Sequence, residues 1–137
     1  MTSKELRLAG ALLYACEGTK LRKDSRYKNT FIYSIEFTNS NPKIVSLFLR
    51  FMRKELKIDP AKIKGQLFLY PDLDVARVKK IWSNNTNIPT TQFQKIIMLK
   101  TKISRFKPNP LGTFKVRYTN KEKFLLLQSI IDKVLKK

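Results

Sequence analysis

Residues 8–18 read LAGALLYACEG, and this stretch decides how the rest of the chain is interpreted. Apolar, small and aromatic residues run without interruption until Glu17, which Gly18 follows at once. The spacing of the apolar residues predicts a helix over residues 2–16 that begins in a capping box between Thr2 and Glu5 and ends before the glycine. The predicted helix therefore carries a carboxylate at its C-terminal end.

The position of Glu17 is electrostatically unfavourable for an isolated helix. A helix C-terminus carries about half a negative charge, and a second negative charge there costs ~0.3–1 kcal/mol. A bound metal ion would make this position favourable, because the ion can take both the carboxylate and a free helix-end carbonyl as oxygen ligands. The alternative is an ordinary exposed acid at the end of a plain core helix.

Small residues give the same helix a flat surface, on which a second copy would pack closely and bring two Glu17 side chains together at a two-fold axis. These residues are Ala9, Gly10, Ala11 and Ala15.

The net charge indicates the kind of partner. The chain has 29 Lys and Arg against ten Asp and Glu, which gives a formal charge of +19. Such an excess destabilises a protein by self-repulsion unless a polyanion neutralises it. Basic residues are spread along the whole chain instead of forming one polybasic run, and this favours nucleic acid over an anionic membrane surface.

Composition also excludes several classes of function. The chain contains no histidine and a single cysteine, Cys16. Histidine general bases, catalytic triads, histidine-dependent nucleases, intrachain disulfides and cysteine-rich zinc sites are therefore excluded. The Cys16 thiol is expected to be a small buried hydrophobe, because no group is present to act as its base.

No stretch approaches the ~18 uninterrupted apolar residues of a membrane span, and the N-terminus lacks the pattern of a secretion signal. We expect a protein that does not bind membranes and is intracellular, either cytoplasmic and nucleoid-associated or organellar.

Outward from the first helix, apolar periodicity predicts five strands and three more helices. The strands cover residues 19–23, 30–38, 62–70, 91–100 and 113–119, and the helices cover residues 42–56, 75–82 and 121–137. Asn41 before Pro42 is a strong helix start, and Asp72 or Asp74 caps the third helix. The order predicts one α+β domain over residues 1–137, with helices on one face of an antiparallel or mixed β-sheet.

Such a sheet leaves one face free for a ligand. Polar and basic residues at alternate strand positions would line it, namely Thr30, Ser34, Gln66, Gln94, Lys115 and Arg117. Long side chains on a two-stranded ribbon can reach base edges in the major groove of duplex DNA. The alternative is that these are ordinary solvent-facing strand positions. With the basic residues of the connections, the full set of predicted DNA contacts is Lys20, Arg22, Lys23, Arg26, Lys28, Ser34, Lys64, Gln66, Gln94, Lys102, Arg105, Lys107, Lys115 and Arg117.

Residues 12–18 resemble the C-terminal part of the motif of the LAGLIDADG homing endonucleases. Glu17 stands in the place of the final acid of that motif, and Gly18 in the place of its final glycine. Residues 17–20, 37–50 and 88–95 also look like stretches of the compact LAGLIDADG-like proteins of bacteria and archaea. The resemblance therefore covers most of the chain.

The chain departs from this family in three respects. Ala15 replaces the other acid of the motif, and the LAG triplet at residues 8–10 is out of register with the opening of the motif. A helix is also predicted between the third and fourth strands, in addition to the family pattern αββαββα.

The resemblance implies a saddle-shaped sheet and a homodimer, formed through the helix of residues 3–17, that cleaves a partly palindromic site in double-stranded DNA. Glu17 of each subunit, with the Cys16 carbonyl, would hold Mg²⁺ or Mn²⁺ that activates water for phosphodiester hydrolysis. Lys20 and Lys100 are the expected sources of electrostatic stabilisation near the cleaved phosphate.

Three functions are compatible with these observations. The first is this metal-dependent endonuclease, which Glu17 favours because a pure binding domain needs no acid that points at phosphate. The second is a non-catalytic regulator or RNA-splicing helper on the same fold. The third is an unrelated RNA-binding or ribosome-associated protein, which would use aromatic stacking by Tyr27, Tyr33 or Tyr118. Alternation along the strands instead predicts a core position for these tyrosines.

Overall fold

The computed structural model describes residues 1–24, 26, 30–100 and 110–136. Within them the chain is an α+β protein. Its helices are α1 (Ser3–Glu17), α2 (Pro42–Lys54), α3 (Val75–Thr86) and α4 (Lys121–Leu135). Its strands are β1 (Arg22–Lys23), β2 (Phe31–Ile32), β3 (Ser34–Asn39), β4 (Lys64–Leu69), β5 (Ile97–Met98) and β6 (Thr113–Thr119). No helix in this part of the chain combines the length and the apolar character that a membrane crossing requires.

Local sequence signals determine where the helices begin. Thr2 caps α1 in a reciprocal capping box, in which its hydroxyl accepts from the backbone of Glu5 at 3.1 Å and its own N–H donates to the Glu5 carboxylate at 2.9 Å. Asn41 caps α2 ahead of a proline, and Asp74 caps α3. The predicted capping box and Asn41 cap are confirmed, and of the two candidate caps of the third helix Asp74 is the correct one.

The main sheet is mixed and has the strand order β3-β6-β4-β5. Strand β6 pairs antiparallel with both β3 and β4, whereas β4 and β5 are parallel. Strands β1 and β2 form a separate two-stranded sheet. The mixed sheet agrees with the predicted class, and the extra helix between the third and fourth predicted strands is α3.

Aromatic stacking shows which face of the sheet the helices cover. Phe48 of α2 stacks on Phe37 of β3 with ring centroids 4.4 Å apart. Trp82 of α3 stacks on Phe114 of β6 at 4.9 Å. All four rings are buried. Because successive side chains of a strand point to opposite faces, the alternate residues of β3 and β6 lie on the other side of the sheet.

The small residues of α1 serve packing within the chain. Gly10 and Ala11 are buried, and a Cβ atom on Gly10 would overlap the ring of Phe51 in α2. The prediction that these two residues form a flat surface for a second copy is therefore wrong. The exposed face of α1 instead carries Leu8, Leu12 and Cys16, at the four-residue spacing that aligns side chains along a helix. The thiol of Cys16 is exposed as well, which corrects the prediction that it is buried.

The predicted strand over residues 91–100 is largely wrong. A 3-10 turn covers Thr90–Gln92, and only Ile97–Met98 form a strand. The turn is held by the side-chain amide of Gln92, which donates to the carbonyl oxygens of Pro60 at 3.0 Å and Ile63 at 2.7 Å. This long-range contact, which the local sequence does not indicate, holds residues 90–92 in a turn in place of the predicted strand.

Strand β6 covers the predicted range 113–119 and confirms it, whereas the other predicted strands are shorter or interrupted. Strand β1 covers only two residues of the range 19–23. The range 30–38 is divided at Tyr33, whose carbonyl accepts from the backbone N–H of Asn120 at 3.0 Å. Tyr118 is buried and Tyr33 packs edge-on against Phe124 of α4, in agreement with their predicted core positions. Tyr27 lies outside the described residues.

Candidate nucleic-acid interface

The face of the sheet opposite the helices carries two cross-strand rows of polar and charged side chains, and we call it the open face. Directly paired residues of antiparallel strands share a face. The rows run across β3, β6 and β4 and consist of Glu36, Arg117 and Lys64, and of Thr38, Lys115 and Gln66. With strands ~4.8 Å apart, each row is roughly 10 Å long, which is comparable to the ~12 Å width of the major groove of duplex DNA.

Three of the predicted DNA contacts converge on one carboxylate, that of Glu36. Arg22 of β1 donates to Glu36 at 2.7 Å, and the Nζ of Lys115 and a guanidinium nitrogen of Arg117 lie 3.6 Å from its other oxygen. The Glu36 side chain is only 3% exposed, against 22% for Lys115 and 33% for Arg117. We call these four residues the Glu36 cluster.

The cluster is ionised and keeps a net positive charge. Burial by itself raises the pKa of Glu36, but the hydrogen bonds from Arg22 and Ser34 and the positive charge of Arg117 outweigh it, so the pKa is lowered overall. One carboxylate faces three cations. Sequence reasoning missed Glu36, although its place between Ser34 and Thr38 in an alternating strand puts it on the open face.

Other predicted contacts occupy the ends of the two rows. Lys64 is exposed at the β4 end of the first row. In the second row, the side-chain amide of Gln66 donates to the carbonyl of Lys95 at 2.9 Å, and the Nζ of Lys115 lies 5.4 Å from the ring centroid of Phe68. Gln66, Lys115 and Arg117 are therefore brought together on one face, as predicted, and Lys64 lies on the same face.

Two predicted contacts have buried polar atoms. Ser34 is buried, and its hydroxyl accepts from that of Thr119 at 3.2 Å. Gln94 lies beside β4 outside any strand, where its backbone N–H donates to Gly65 at 2.7 Å. The side-chain Oε1 of Gln94 is buried. Ser34 is therefore not available to contact DNA, and the half-buried Gln94 does not present its side-chain oxygen to the surface.

Two of the remaining predicted contacts belong to neither row. Lys23 is exposed on β1, and Arg26 forms an ion pair with Asp24 at 3.1 Å. Lys28, Lys102, Arg105 and Lys107 lie outside the described residues.

Glu17 is exposed at the C-terminal end of α1, as the sequence predicts, and is held there by an amide. The Nδ2 of Asn39 donates to the carboxylate at 2.6 Å, while the Oδ1 of Asn39 accepts from the backbone of Asn41 at 2.8 Å. Asn39 is the last residue of β3, so the contact fixes the acid at one end of the sheet. Sequence reasoning gave no indication of this partner.

Lys20 occupies the negative end of the α1 dipole. Its ammonium group donates to the carbonyl oxygens of Ala15 at 2.7 Å and Tyr14 at 3.2 Å. A cation at a helix C-terminus is stabilising. Lys20 therefore already supplies positive charge at the helix end where a metal ion would supply it.

One chain by itself does not supply a complete metal site within the described residues. They contain no group of three or more His, Cys, Asp or Glu side chains that could hold a metal ion. Mg²⁺ characteristically binds one or two carboxylates together with substrate phosphates and retained waters. Glu17 and the Cys16 carbonyl would supply only two of the oxygen ligands of such a site.

Lys100 lies far from Glu17 within one chain. It follows β5 at one edge of the sheet, whereas Asn39 holds Glu17 at the β3 edge. Three strand spacings separate these edges, which is roughly 14 Å. The structure therefore does not bring Lys100 to the Glu17 carboxylate.

Comparison with models of protein families, with curated proteins and with solved structures finds no match to this chain. The resemblance of residues 12–18 to the LAGLIDADG motif therefore stays a prediction. Functional inference depends on the two rows of the open face and on the surroundings of Glu17.

Proposed function

We propose that this protein is a site-specific, divalent-metal-dependent DNA endonuclease of LAGLIDADG type that acts as a homodimer. The observation that carries the proposal is the pair of cross-strand rows on the open face. Each row has a length suited to the major groove. Lys64, Lys115 and Arg117 occupy positions in these rows that point away from the core. The formal charge of +19 supports a polyanionic partner.

Duplex DNA fits these rows better than RNA does. The major groove of A-form RNA is too narrow for side chains to read, and proteins that recognise single-stranded RNA use exposed aromatic rings. Tyr118 is buried, and the ring of Tyr33 packs against Phe124. These tyrosines are engaged in the core, which leaves groove recognition by long polar side chains as the better-supported mode.

The exposed face of α1 supports a homodimer. Leu8 and Leu12 are 47% and 42% exposed, and Cys16 continues the same line along the helix. Packing two such faces across a two-fold axis would bury these leucines. It would also place the two Glu17 side chains, one from each chain, next to the axis at the helix ends.

The residues around Glu17 suit a shared catalytic centre. Asn39 orients the carboxylate, and Lys20 places a positive charge at the same helix end. A bound Mg²⁺ supplies Lewis acidity and a more acidic water for phosphodiester hydrolysis. Preorganised charges of this kind stabilise the charge that develops on the phosphate.

A non-catalytic DNA-binding regulator or splicing helper on the same fold is the second candidate. It is favoured by Lys20, which already satisfies carbonyl oxygens at the end of α1 without a metal. In this alternative Glu17 is simply a helix-end acid hydrogen-bonded to Asn39.

Selection from a random duplex library, in Mg²⁺ and separately in Ca²⁺, tests the proposal with the wild type and Glu17→Gln. We expect the wild type to cleave a partly palindromic site in Mg²⁺ only, and Glu17→Gln to bind that site without cleavage. Glu122→Gln, a change of an exposed acid on α4, is the matched control and should cleave normally. Specific binding without cleavage in either metal would favour the non-catalytic regulator over the endonuclease. The absence of any sequence preference would contradict both candidate functions.

A further inference from the structure

One acid lies on the open face, at the β3 end of the first row, and its presence there needs an explanation. Glu36 is the only acidic residue of β3, β4 and β6. A carboxylate in a phosphate-binding surface weakens the attraction of that surface for any nucleic acid. Its burial to 3% exposure makes it costly for the fold as well, unless it is well paired.

The pairing of Glu36 brings together cations from two different sheets. Arg22 comes from the small sheet β1–β2, while Lys115 and Arg117 come from the centre of the main sheet. The carboxylate lies beneath them, and each of the three cations is more exposed than Glu36 itself. Two further contacts hold Glu36 in place. The Ser34 hydroxyl binds the Glu36 carboxylate, and the backbone N–H of Glu36 donates to the Tyr14 hydroxyl at 3.2 Å.

We propose that Glu36 is a positioning residue that determines sequence specificity, by holding Arg22, Lys115 and Arg117 in one fixed arrangement toward the DNA. The inference rests on the proposed DNA binding. An arginine has five N–H donors, so Arg22 and Arg117 keep donors for base edges after they bind Glu36. Cations that are ordered in advance lose less conformational freedom on binding the correct site. Unordered cations would bind phosphates of any sequence.

The test compares two duplexes of equal length, one with the site selected by the wild type and one scrambled. Affinities are measured in Ca²⁺ over a series of salt concentrations for the wild type, Glu36→Gln, Glu36→Asp and Glu122→Gln. Circular dichroism checks the fold of each variant. Glu122→Gln raises the formal charge by the same amount as Glu36→Gln, but it removes an exposed acid of α4 that is not part of the cluster.

We expect Glu36→Gln to bind scrambled DNA more tightly and to lose about tenfold in the ratio of specific to scrambled affinity, which corresponds to one lost bidentate base contact. Glu36→Asp keeps the charge but withdraws the carboxylate, so the ratio should fall while scrambled affinity stays unchanged. Glu122→Gln should keep the wild-type ratio.

Three results would overturn the inference. Equal losses on both duplexes in the Glu36 variants would indicate a purely structural role, and an equal change in Glu122→Gln would indicate net charge alone. Wild-type specificity in Glu36→Asp would show that the position of the carboxylate is unimportant. A wild type without any sequence preference would instead refute the proposed function, and the role of Glu36 with it.

Discussion

Tyr14 is the residue that joins α1 to the sheet. Its hydroxyl donates to the carbonyl of Thr19 at 2.5 Å and accepts from the backbone N–H of Glu36 at 3.2 Å. Its ring stacks on Phe48. Burial raises the pKa of Tyr14 to about 12. One side chain therefore couples α1 to β3 directly beneath the Glu36 cluster.

Replacing Tyr14 by Phe should lower the free energy of unfolding by ~1–3 kcal/mol, because the buried Glu36 N–H loses its acceptor. The phenol loses its proton near pH 10.0 in the unfolded chain but near pH 12 in the folded one. The contribution of the Tyr14 hydroxyl to the free energy of unfolding is therefore complete below pH 10 and is lost as the pH rises toward 12. Urea unfolding at a series of pH values measures the difference in free energy of unfolding between the wild type and Tyr14→Phe. This difference should become smaller as the pH rises. A difference that stays constant would mean that the pKa of Tyr14 is not raised.

Residue-level features were predictable where they are local in sequence. The capping of α1 by Thr2 and the exposed acid at Glu17 follow from neighbouring residues alone. The amide of Asn39 on Glu17 and the carboxylate of Glu36 under Arg117 were not predictable. They depend on which strands become neighbours, and that depends on contacts between segments that are far apart in the chain.

At the scale of elements, α1 has one packed face and one exposed face. The face with Gly10 and Ala11 packs on α2, and the face with Leu8 and Leu12 is exposed. The sequence predicted the helix and its ends correctly but assigned small residues to the wrong face. A small residue permits close packing against any neighbour, and the sequence does not state which neighbour that is.

Leu12→Glu should weaken the proposed homodimer at least tenfold without unfolding the chain, because it puts a charge into an interface that buries apolar surface. Leu125→Glu on α4 is the matched control, since Leu125 is 46% exposed and Leu12 is 42% exposed. Sedimentation over a range of concentrations measures the association. A wild type that stays monomeric throughout, or an equal effect of both substitutions, would contradict a dimer through α1.

The edge of the sheet shows the limit of periodicity. Residues 91–100 were predicted as one strand, yet Gln92 anchors a turn there, and within this range only Ile97–Met98 form a strand beside β4. The mixed order of the sheet likewise places a parallel strand at one edge. A pattern of apolar residues indicates which side chains of a segment are buried. The segment becomes a strand only if it pairs with a neighbouring strand, and that neighbour can be far away in the sequence.

For the whole molecule, the charge of +19 predicts strong dependence of DNA binding on salt. If ~6–10 phosphates are contacted, affinity should fall by ~10³–10⁵ between 50 and 200 mM salt, because counterions are released on binding. Fluorescence anisotropy of a labelled duplex measures this slope. A loss below about tenfold over that range would contradict an extended basic interface.

Trp82 gives the molecule an optical reporter of its own. It is the only tryptophan of the chain, it is fully buried, and its indole N–H donates to the carbonyl of Leu111 at 2.7 Å. It stacks on Phe114, on the core side of the strand whose other side carries Lys115. Its emission should therefore shift to the red when the fold is lost and stay unshifted while DNA docks on the far side of the sheet. One spectrum then distinguishes a variant that cannot fold from a variant that cannot bind.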